Sequence, residues 1–286
     1  MRYAAPTTVD EARDLLSGDP DARVFAGATD LIPQIRAGRP EPSVLVDLKH
    51  IDRLIGLSES GGSWTVGAAT PTSTLTHDAA FTAAFPGLSE ASGLIGSDQI
   101  QNRASWGGNL CTASPAADAV PALVVNDVHA VIAGADGERT MPVLEVPTGP
   151  GSTALADGEF IVEFTVAAPP SGTSDAYLRL TPRTEMDIAV VSAAVRLTMD
   201  GDTCTAATVA LGAVAPTVVR VPDAEAALVG STLDEDTLAA AADAASAACN
   251  PIDDKRGTIE YRRRVAGVLT RRAAAIAAER AGGEPR

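Results

Sequence analysis

Two stretches of small and polar residues carry the chemistry open to this sequence. The longer one, residues 100–123, reads IQNRASWGGNLCTASPAADAVPAL and holds Gly107-Gly108-Asn109, Thr112, Ser114-Pro115 and Asp118. Runs of Gly, Ser, Thr and Asn let backbone N–H groups come close to a ligand, as an anionic cofactor requires. Few of its side chains are large and apolar, so it is expected to be a poor core element. The shorter stretch is Ala26-Gly27-Ala28-Thr29-Asp30, between Arg23-Val24-Phe25 and a run with Leu31, Ile32 and Ile35. A turn between a strand's end and a helix's start gathers free amides and the positive end of the helix dipole, and both favour an anion.

Other chemistries find no support. The sequence has no G-x-G-x-x-G, no G-x-x-x-x-G-K and no G-x-S-x-G. Cys111, Cys204 and Cys249 are too far apart for a disulfide framework, a zinc site or an iron–sulfur cluster. Cys111 reads as a small packing residue. His50, His77 and His129 are isolated and read as structural or surface histidines. No residues are assigned as catalytic or as metal ligands. A chain with no acid–base or metal constellation binds a reactive group rather than supplying one. The net charge of −15 repels phosphate polymers and anionic membranes, so a phosphate-bearing ligand must be held locally by amides. No 18-residue apolar run and no signal-peptide core occur, so a soluble, cytoplasmic protein without membrane insertion is expected.

Several elements must position these stretches. Thr8-Val9-Asp10-Glu11 is a capping box before a helix that Gly18 ends. A strand at 23–25, a helix over 31–38 with Pro33 in its first turn, and a strand at 44–46 make a βαβ unit. Further strands are expected at 64–67, after a Gly61-Gly62 turn, and at 128–132 and 160–166. Short helices are expected from Pro71-Thr72 and over 85–93. Pro169-Pro170-Ser171-Gly172 marks a boundary. Beyond it, two β-branched runs, 189–199 and 203–214, flank Asp200-Gly201, a type I′ hairpin signal. Helices follow over 238–248 and 262–279, the latter with Val265, Val268, Leu269 and Ile276 on one face. Arg262-Arg263-Arg264 reads as a solvated helix face, and residues 281–286 as a tail.

Ala26-Gly27-Ala28-Thr29-Asp30-Leu31 and Ser105-Trp106-Gly107-Gly108-Asn109-Leu110, with Ser114-Pro115-Ala116-Ala117-Asp118, resemble the FAD-binding medium subunit of molybdenum hydroxylases, the xanthine dehydrogenase and carbon monoxide dehydrogenase family. Tyr177-Leu178-Arg179, Pro182-Arg183, Asp187-Ile188-Ala189, the run from Leu211 to Pro216 and Tyr261-Arg262 extend the resemblance through nearly the whole chain. It implies an α+β chain with a two-lobed FAD-binding fold of the vanillyl-alcohol-oxidase (PCMH) type. The lobes would cover about 1–55 and 56–172, and a C-terminal domain of a small antiparallel sheet plus helices would cover 173–286.

By the same resemblance, Val24, Phe25, Ala26, Gly27, Ala28, Thr29, Asp30 and Leu31 would wrap the FAD pyrophosphate and ribityl chain. Ile95 and Ile161 would pack near the cofactor. Ser105, Trp106, Gly107, Gly108 and Asn109 would supply a second loop, with Trp106 filling a lobe interface. Thr112 and Asp118 would complete that loop, Asp118 as partner of a cofactor hydroxyl. Arg179 stands where the family has lysine and Gln101 where an arginine is common. Ala28 stands where a second glycine is common, and alanine there is expected at negative φ. Covalent flavin relatives carry histidine at the place of Thr29, so non-covalent FAD is implied. Molybdopterin would sit in a large partner subunit and two [2Fe–2S] clusters in a small one, as a dimer of heterotrimers. Electrons would pass through FAD to an external acceptor. A stand-alone flavoprotein oxidoreductase and an assembly subunit without FAD are the alternatives. The resemblance names neither the substrate nor the acceptor.

Overall fold

The computed structural model describes residues 1–282, so residues 283–286 of the expected tail lie outside the described residues. The chain begins β1 (Arg2–Ala4), α1 (Val9–Ser17), β2 (Arg23–Phe25), α2 (Leu31–Arg36) and β3 (Val44–Asp47). The three strands are parallel in the order β1-β3-β2. β3 is buried along its whole length, as a central parallel strand must be. Thr8 caps α1 by accepting from the Glu11 N–H, while the Glu11 carboxylate accepts from the Thr7 N–H. The capping box therefore closes one residue early. β1 gives no signal in the sequence, because Arg2 and Tyr3 are exposed.

The second unit runs β4 (Leu57–Ser60), β5 (Ser63–Gly67), α3 (Thr72–His77), α4 (Ala79–Ala84), α5 (Pro86–Gly93), α6 (Asp98–Gln101), α7 (Trp106–Cys111) and α8 (Ala119–Val125). It continues through β6 (His129–Gly134), β7 (Gly137–Pro142), β8 (Pro147–Gly149), β9 (Ser152–Thr153) and β10 (Phe160–Ala167). Five antiparallel strands are ordered β4-β5-β10-β6-β7, so the last strand to be made fills the centre. Trp64, Phe81, Phe85, Trp106 and Phe164 form a chain of rings with centroids 5.3 to 6.2 Å apart. The stretch 100–123 is therefore no mere loop. Trp106, Leu110 and Leu123 are fully buried, and α7 and α8 belong to this core. Counting large apolar residues misjudged it, since glycine and alanine let short helices pack closely.

The third unit runs β11 (Thr173–Leu180), β12 (Val191–Asp200), β13 (Thr203–Gly212), β14 (Val219–Arg220), α9 (Pro222–Leu228), α10 (Glu235–Ala247) and α11 (Ile259–Arg280). Its four strands are antiparallel in sequence order. The β12–β13 turn differs from the expected type I′. Asp200 pairs with Thr203, so Gly201 and Asp202 are the central residues, and of these only Gly201 has positive φ, +56°. The buried face of α11 also differs. It runs through Arg262, Ala266, Leu269, Ala273 and Ala277, while Val268 is exposed. Arg262 is only 3% exposed and is no solvated residue. Its guanidinium donates to the Val190 carbonyl at 2.6 Å and to Asp254 at 2.6 Å.

One carboxylate joins the second and third units. Phe85 precedes α5 and offers no side-chain acceptor for its first amides. Asp175 of β11 does so from 88 and 87 residues away, accepting from the Gly87 and Leu88 N–H groups at 2.9 Å each. Asn126 donates to the same carboxylate at 2.7 Å. Removing it leaves the buried Gly87 and Leu88 N–H groups without an acceptor and takes one of two acceptors from the Asn126 amide. Asp175→Ala is expected to cost about 3 kcal/mol in urea unfolding. A cost under about 1 kcal/mol would show that the cap does not hold the units together.

Candidate functional site

The two small-residue stretches meet across a cleft. β2 ends at Phe25 and α2 begins at Leu31, so residues 26–30 must reverse the chain within one turn. Ala28 makes that turn at φ +57°, which corrects the expectation of a negative angle. Asp30 follows in the right-handed region at φ −100°, ψ −44°. A left-handed residue in so tight a turn suits a nest, in which successive N–H groups aim at one anion. Among the described residues, the N–H groups of Gly27, Ala28, Thr29 and Asp30 donate to no protein acceptor. The left-handed alanine costs about 1–2 kcal/mol and is held there by its surroundings.

Gly27 fixes how closely the jaws approach. A Cβ there would lie 2.0 Å from the Arg103 carbonyl oxygen and 3.0 Å from the Ala104 nitrogen. Only glycine allows that backbone contact. Across the cleft, Ser105 caps α7, its Oγ accepting from the Gly108 N–H at 3.2 Å. Thr112 stands at the far end, its single hydroxyl hydrogen shared between the Gly108 carbonyl at 2.9 Å and the Asp30 carboxylate at 3.3 Å. The open cleft between them has a volume of about 510 Å³. Val24, Phe25, Ala26, Gly27, Ala28, Thr29, Asp30, Leu31, Ile95, Ser105, Gly108, Asn109 and Thr112 line it, so the structure brings these site candidates together.

The two jaws differ in what they can offer. The Gly107 N–H donates to the Ala68 carbonyl at 3.1 Å, and the Asn109 N–H to the Ser105 carbonyl at 2.9 Å. The Asn109 side chain accepts from the Ala119 N–H at 3.2 Å. The second jaw has thus spent most of its amides on α7 and its neighbours, and the uncommitted donors sit on the first.

Five candidates do not line the cleft. Trp106 is buried in the aromatic chain within the second unit, its Nε1–H donating to Ser92 Oγ at 2.9 Å. A Cβ at Gly107 would lie 2.6 Å from the Ala68 carbonyl, so this glycine serves backbone packing. Ile161 is buried in β10. Arg179 donates to Asp118 at 2.9 Å, with side chains only 5% and 12% exposed. Tyr177 donates its hydroxyl to the other Asp118 oxygen at 3.0 Å. Burial pushes the Asp118 carboxyl above its ordinary range, against the pull of Arg179 and Tyr177. Both oxygens are engaged in tying β11 to the start of α8.

The cleft also contains residues that the sequence reading missed. Arg23, Gln34 and Arg39 line one end, and Arg39 donates to Gln34. Cys111 is exposed on the wall, not packed inside. Its signal is visible once α7 is recognised, because Gly108, Cys111 and Thr112 share a helical face at spacings of three and four. Gln101 is buried and donates to the Gly93 carbonyl at 2.7 Å, bracing the approach to α7. None of the three histidines lines the cleft, and the described residues contain no cluster that could hold a metal ion. The ionisable lining consists of Asp30, Arg23, Arg39 and Cys111. The free N–H groups at 27–30 suit an oxyanion, and they stand in a lining that also carries two guanidinium groups and the Asp30 carboxylate.

Two substitutions test the turn. Gly27→Ala is expected to lower stability by about 2 kcal/mol or more, read as a fall in melting temperature; an unchanged value would contradict the Arg103 contact. Ala28→Gly should raise stability by about 0.5–1 kcal/mol in denaturant unfolding, strain relief outweighing added chain entropy. A loss of stability would contradict the left-handed angle.

The comparisons with known proteins bear on this cleft. The family described as "FAD binding domain in molybdopterin dehydrogenase" matches residues 1–169, and that described as "CO dehydrogenase flavoprotein C-terminal domain" matches 176–277. The chain is 34% identical to the carbon monoxide dehydrogenase medium chain of Hydrogenophaga pseudoflava over 274 residues, covering 96% of this chain and 95% of that one. It is 28% identical to the xanthine dehydrogenase FAD-binding subunit of Escherichia coli O157:H7, covering 99% and 97%. The solved carbon monoxide dehydrogenase from Hydrogenophaga pseudoflava superposes with a TM-score of 0.94 at 35% identity, covering 98% of both chains. Quinoline 2-oxidoreductase from Pseudomonas putida 86 gives 0.92 at 31%, again covering 98% of both.

Proposed function

The chain belongs to the family of FAD-binding medium subunits of molybdenum hydroxylases, and from that membership we propose that its cleft holds FAD non-covalently with the pyrophosphate in the nest at 27–30. The observation that carries this reading is the row of four N–H groups without a protein acceptor, set at an open cleft. A pyrophosphate is the part of FAD that such donors suit, because amides hold its charge without bringing a counter-ion into an acidic protein. Thr29 leaves no histidine for a covalent link at that position. Bound FAD supplies one- and two-electron redox chemistry.

The chain's own residues do the holding. Residues 27–30 grip the pyrophosphate, and Val24, Phe25, Leu31 and Ile95 give apolar walls to the rest of the molecule. α7, capped by Ser105, sets the opposite wall, and Thr112 reaches Asp30 across the cleft. Asp118 and Arg179 brace this wall from behind. The FAD-binding domain covers 1–172, as lobes of about 1–55 and 56–172, and 173–286 is the C-terminal domain. In the assembly, a small subunit carries [2Fe–2S] clusters and a large one molybdopterin. The medium subunit passes electrons onward to an external acceptor, and two heterotrimers pair. No helix among the described residues is long and apolar enough to cross a membrane.

Purified chain, or its complex, is expected to release about one FAD per chain on acid precipitation, read by absorbance and fluorescence. Absence of flavin from both would end this reading. The second jaw has its own test. A Cβ at Gly108 meets nothing closer than Ser105 Oγ at 3.5 Å, so substitution there leaves the packing intact. Gly108→Asp should weaken FAD retention by about tenfold or more through like-charge repulsion, with little change in melting temperature. Undiminished flavin content would remove α7 from the site.

A further inference from the structure

One lysine contacts the nest from outside the cleft. Lys49 stands in the short 3₁₀ turn Leu48–His50 that follows β3, and it does not line the cleft. Phe25 pairs with Asp47 in the parallel β2–β3 ladder, so Lys49 leaves its strand beside Ala26. Its ammonium is fixed from three directions. It donates to the Ala26 carbonyl at 2.7 Å, it pairs with Asp47, and it lies 4.4 Å from the centre of the Phe25 ring. Asp47 is held in turn by the Tyr3 hydroxyl at 2.9 Å and by the Lys49 N–H at 3.0 Å. His50 approaches the same carboxylate at 3.6 Å.

The Ala26 carbonyl belongs to the peptide whose N–H is that of Gly27. In a trans peptide the two groups point in opposite directions, and no peptide among the described residues is cis. A lysine that holds the carbonyl from behind therefore turns the Gly27 N–H away from itself, toward the cleft that Gly27 lines. Glycine leaves this peptide free to rotate, since no Cβ at 27 restricts it. A flip would present a carbonyl oxygen to the bound anion. The ammonium opposes that flip, and its charge-assisted bond polarises the peptide so that the N–H donates more strongly.

We propose that Lys49 is a positioning residue for the cofactor, locking the Ala26–Gly27 peptide so that the nest faces the pyrophosphate. The inference rests on the FAD reading above. Lys49→Met keeps the stem over Phe25 and loses the donor, while Lys49→Arg keeps a donor. The test uses the full chain stripped of flavin, with FAD and inorganic pyrophosphate as separate titrants. Lys49→Met is expected to weaken both by about tenfold, the scale on which orienting partners act, and to shift the ³¹P resonances of bound FAD. Lys49→Arg should recover most of the loss. A purely structural lysine would lower the melting temperature of all forms without that phosphorus shift or rescue. Wild-type affinities for FAD and pyrophosphate in the methionine variant would overturn the role of Lys49 and leave the FAD reading standing. Pyrophosphate binding that depends on Lys49, in a wild-type chain that takes up no FAD, would retain the lysine and overturn FAD. A wild-type chain that binds neither overturns both.

Discussion

Gly27 lies against the Arg103 carbonyl more closely than any side chain allows, and the geometry of the cleft follows from that contact. A Cβ at this point would sit 2.0 Å from the oxygen, well inside van der Waals contact. The same seam is closed by Gly67 against the Leu54 carbonyl, where a Cβ would meet oxygen at 2.4 Å. Backbone therefore meets backbone along the join of the first two units. Side chains at these points would wedge the units apart and widen the cleft. Arg53 crosses nearby to Glu138 and Glu163, but it is 41% exposed, and a pair so wet adds little stability. Close contact, more than charge, sets the separation of the jaws.

That separation matters for the proposed pyrophosphate site, where uncommitted N–H groups, with Arg23 and Arg39 at one end of the cleft, are the donors at hand. With a net charge of −15, the long-range field opposes the approach of a phosphate. Neutral N–H donors at short range escape most of that penalty, since their effect depends on direction more than on net charge. The left-handed angle at Ala28 is the local cost of aiming them. The second jaw contributes shape. Its amides are bonded to Ala68, Ser105 and the turns of α7, so that helix is stiff rather than free to donate.

Much of this was legible in the residues. The strand-turn-helix at 23–36, the turn at Gly61-Gly62 before β5, the proline-rich break after β10 and the long C-terminal helix each have a local cause, and local causes survive in a sequence. What failed to show has causes far away in the chain. β1 is three residues with no apolar pattern, and only its parallel pairing with Val44, Leu45 and Val46 of β3 makes it a strand. The angle at Ala28 could not be inferred from alanine's own preference, because the Gly27–Arg103 contact and the start of α2 impose it. Trp106 and Gly107 look like site residues within a Gly-rich motif, yet their environment is the second core. Arg262 reads as one charge among three, and only the fold shows it buried against Val190 and Asp254.

The third unit matters to the cleft although it contributes no residue to the lining. Polar contacts fasten it to the second unit, foremost Asp175 on the start of α5 and Arg179 with Asp118, then Arg280 with Glu90 and the Ala213 N–H on the Pro115 carbonyl. The first two are buried and carry a desolvation cost that apolar contacts would avoid. Apolar surfaces slide, whereas a carboxylate that must meet two amides, or a guanidinium and a hydroxyl, has one register. Asp118 directly precedes α8, whose first amide is held by Asn109 of α7. The register of β11 is thereby transmitted through Asp118, α8 and Asn109 to the helix that walls the cleft. A free-standing pair of lobes would lack this brace, and the jaw with few donors to spare would lose the rigidity that is its contribution.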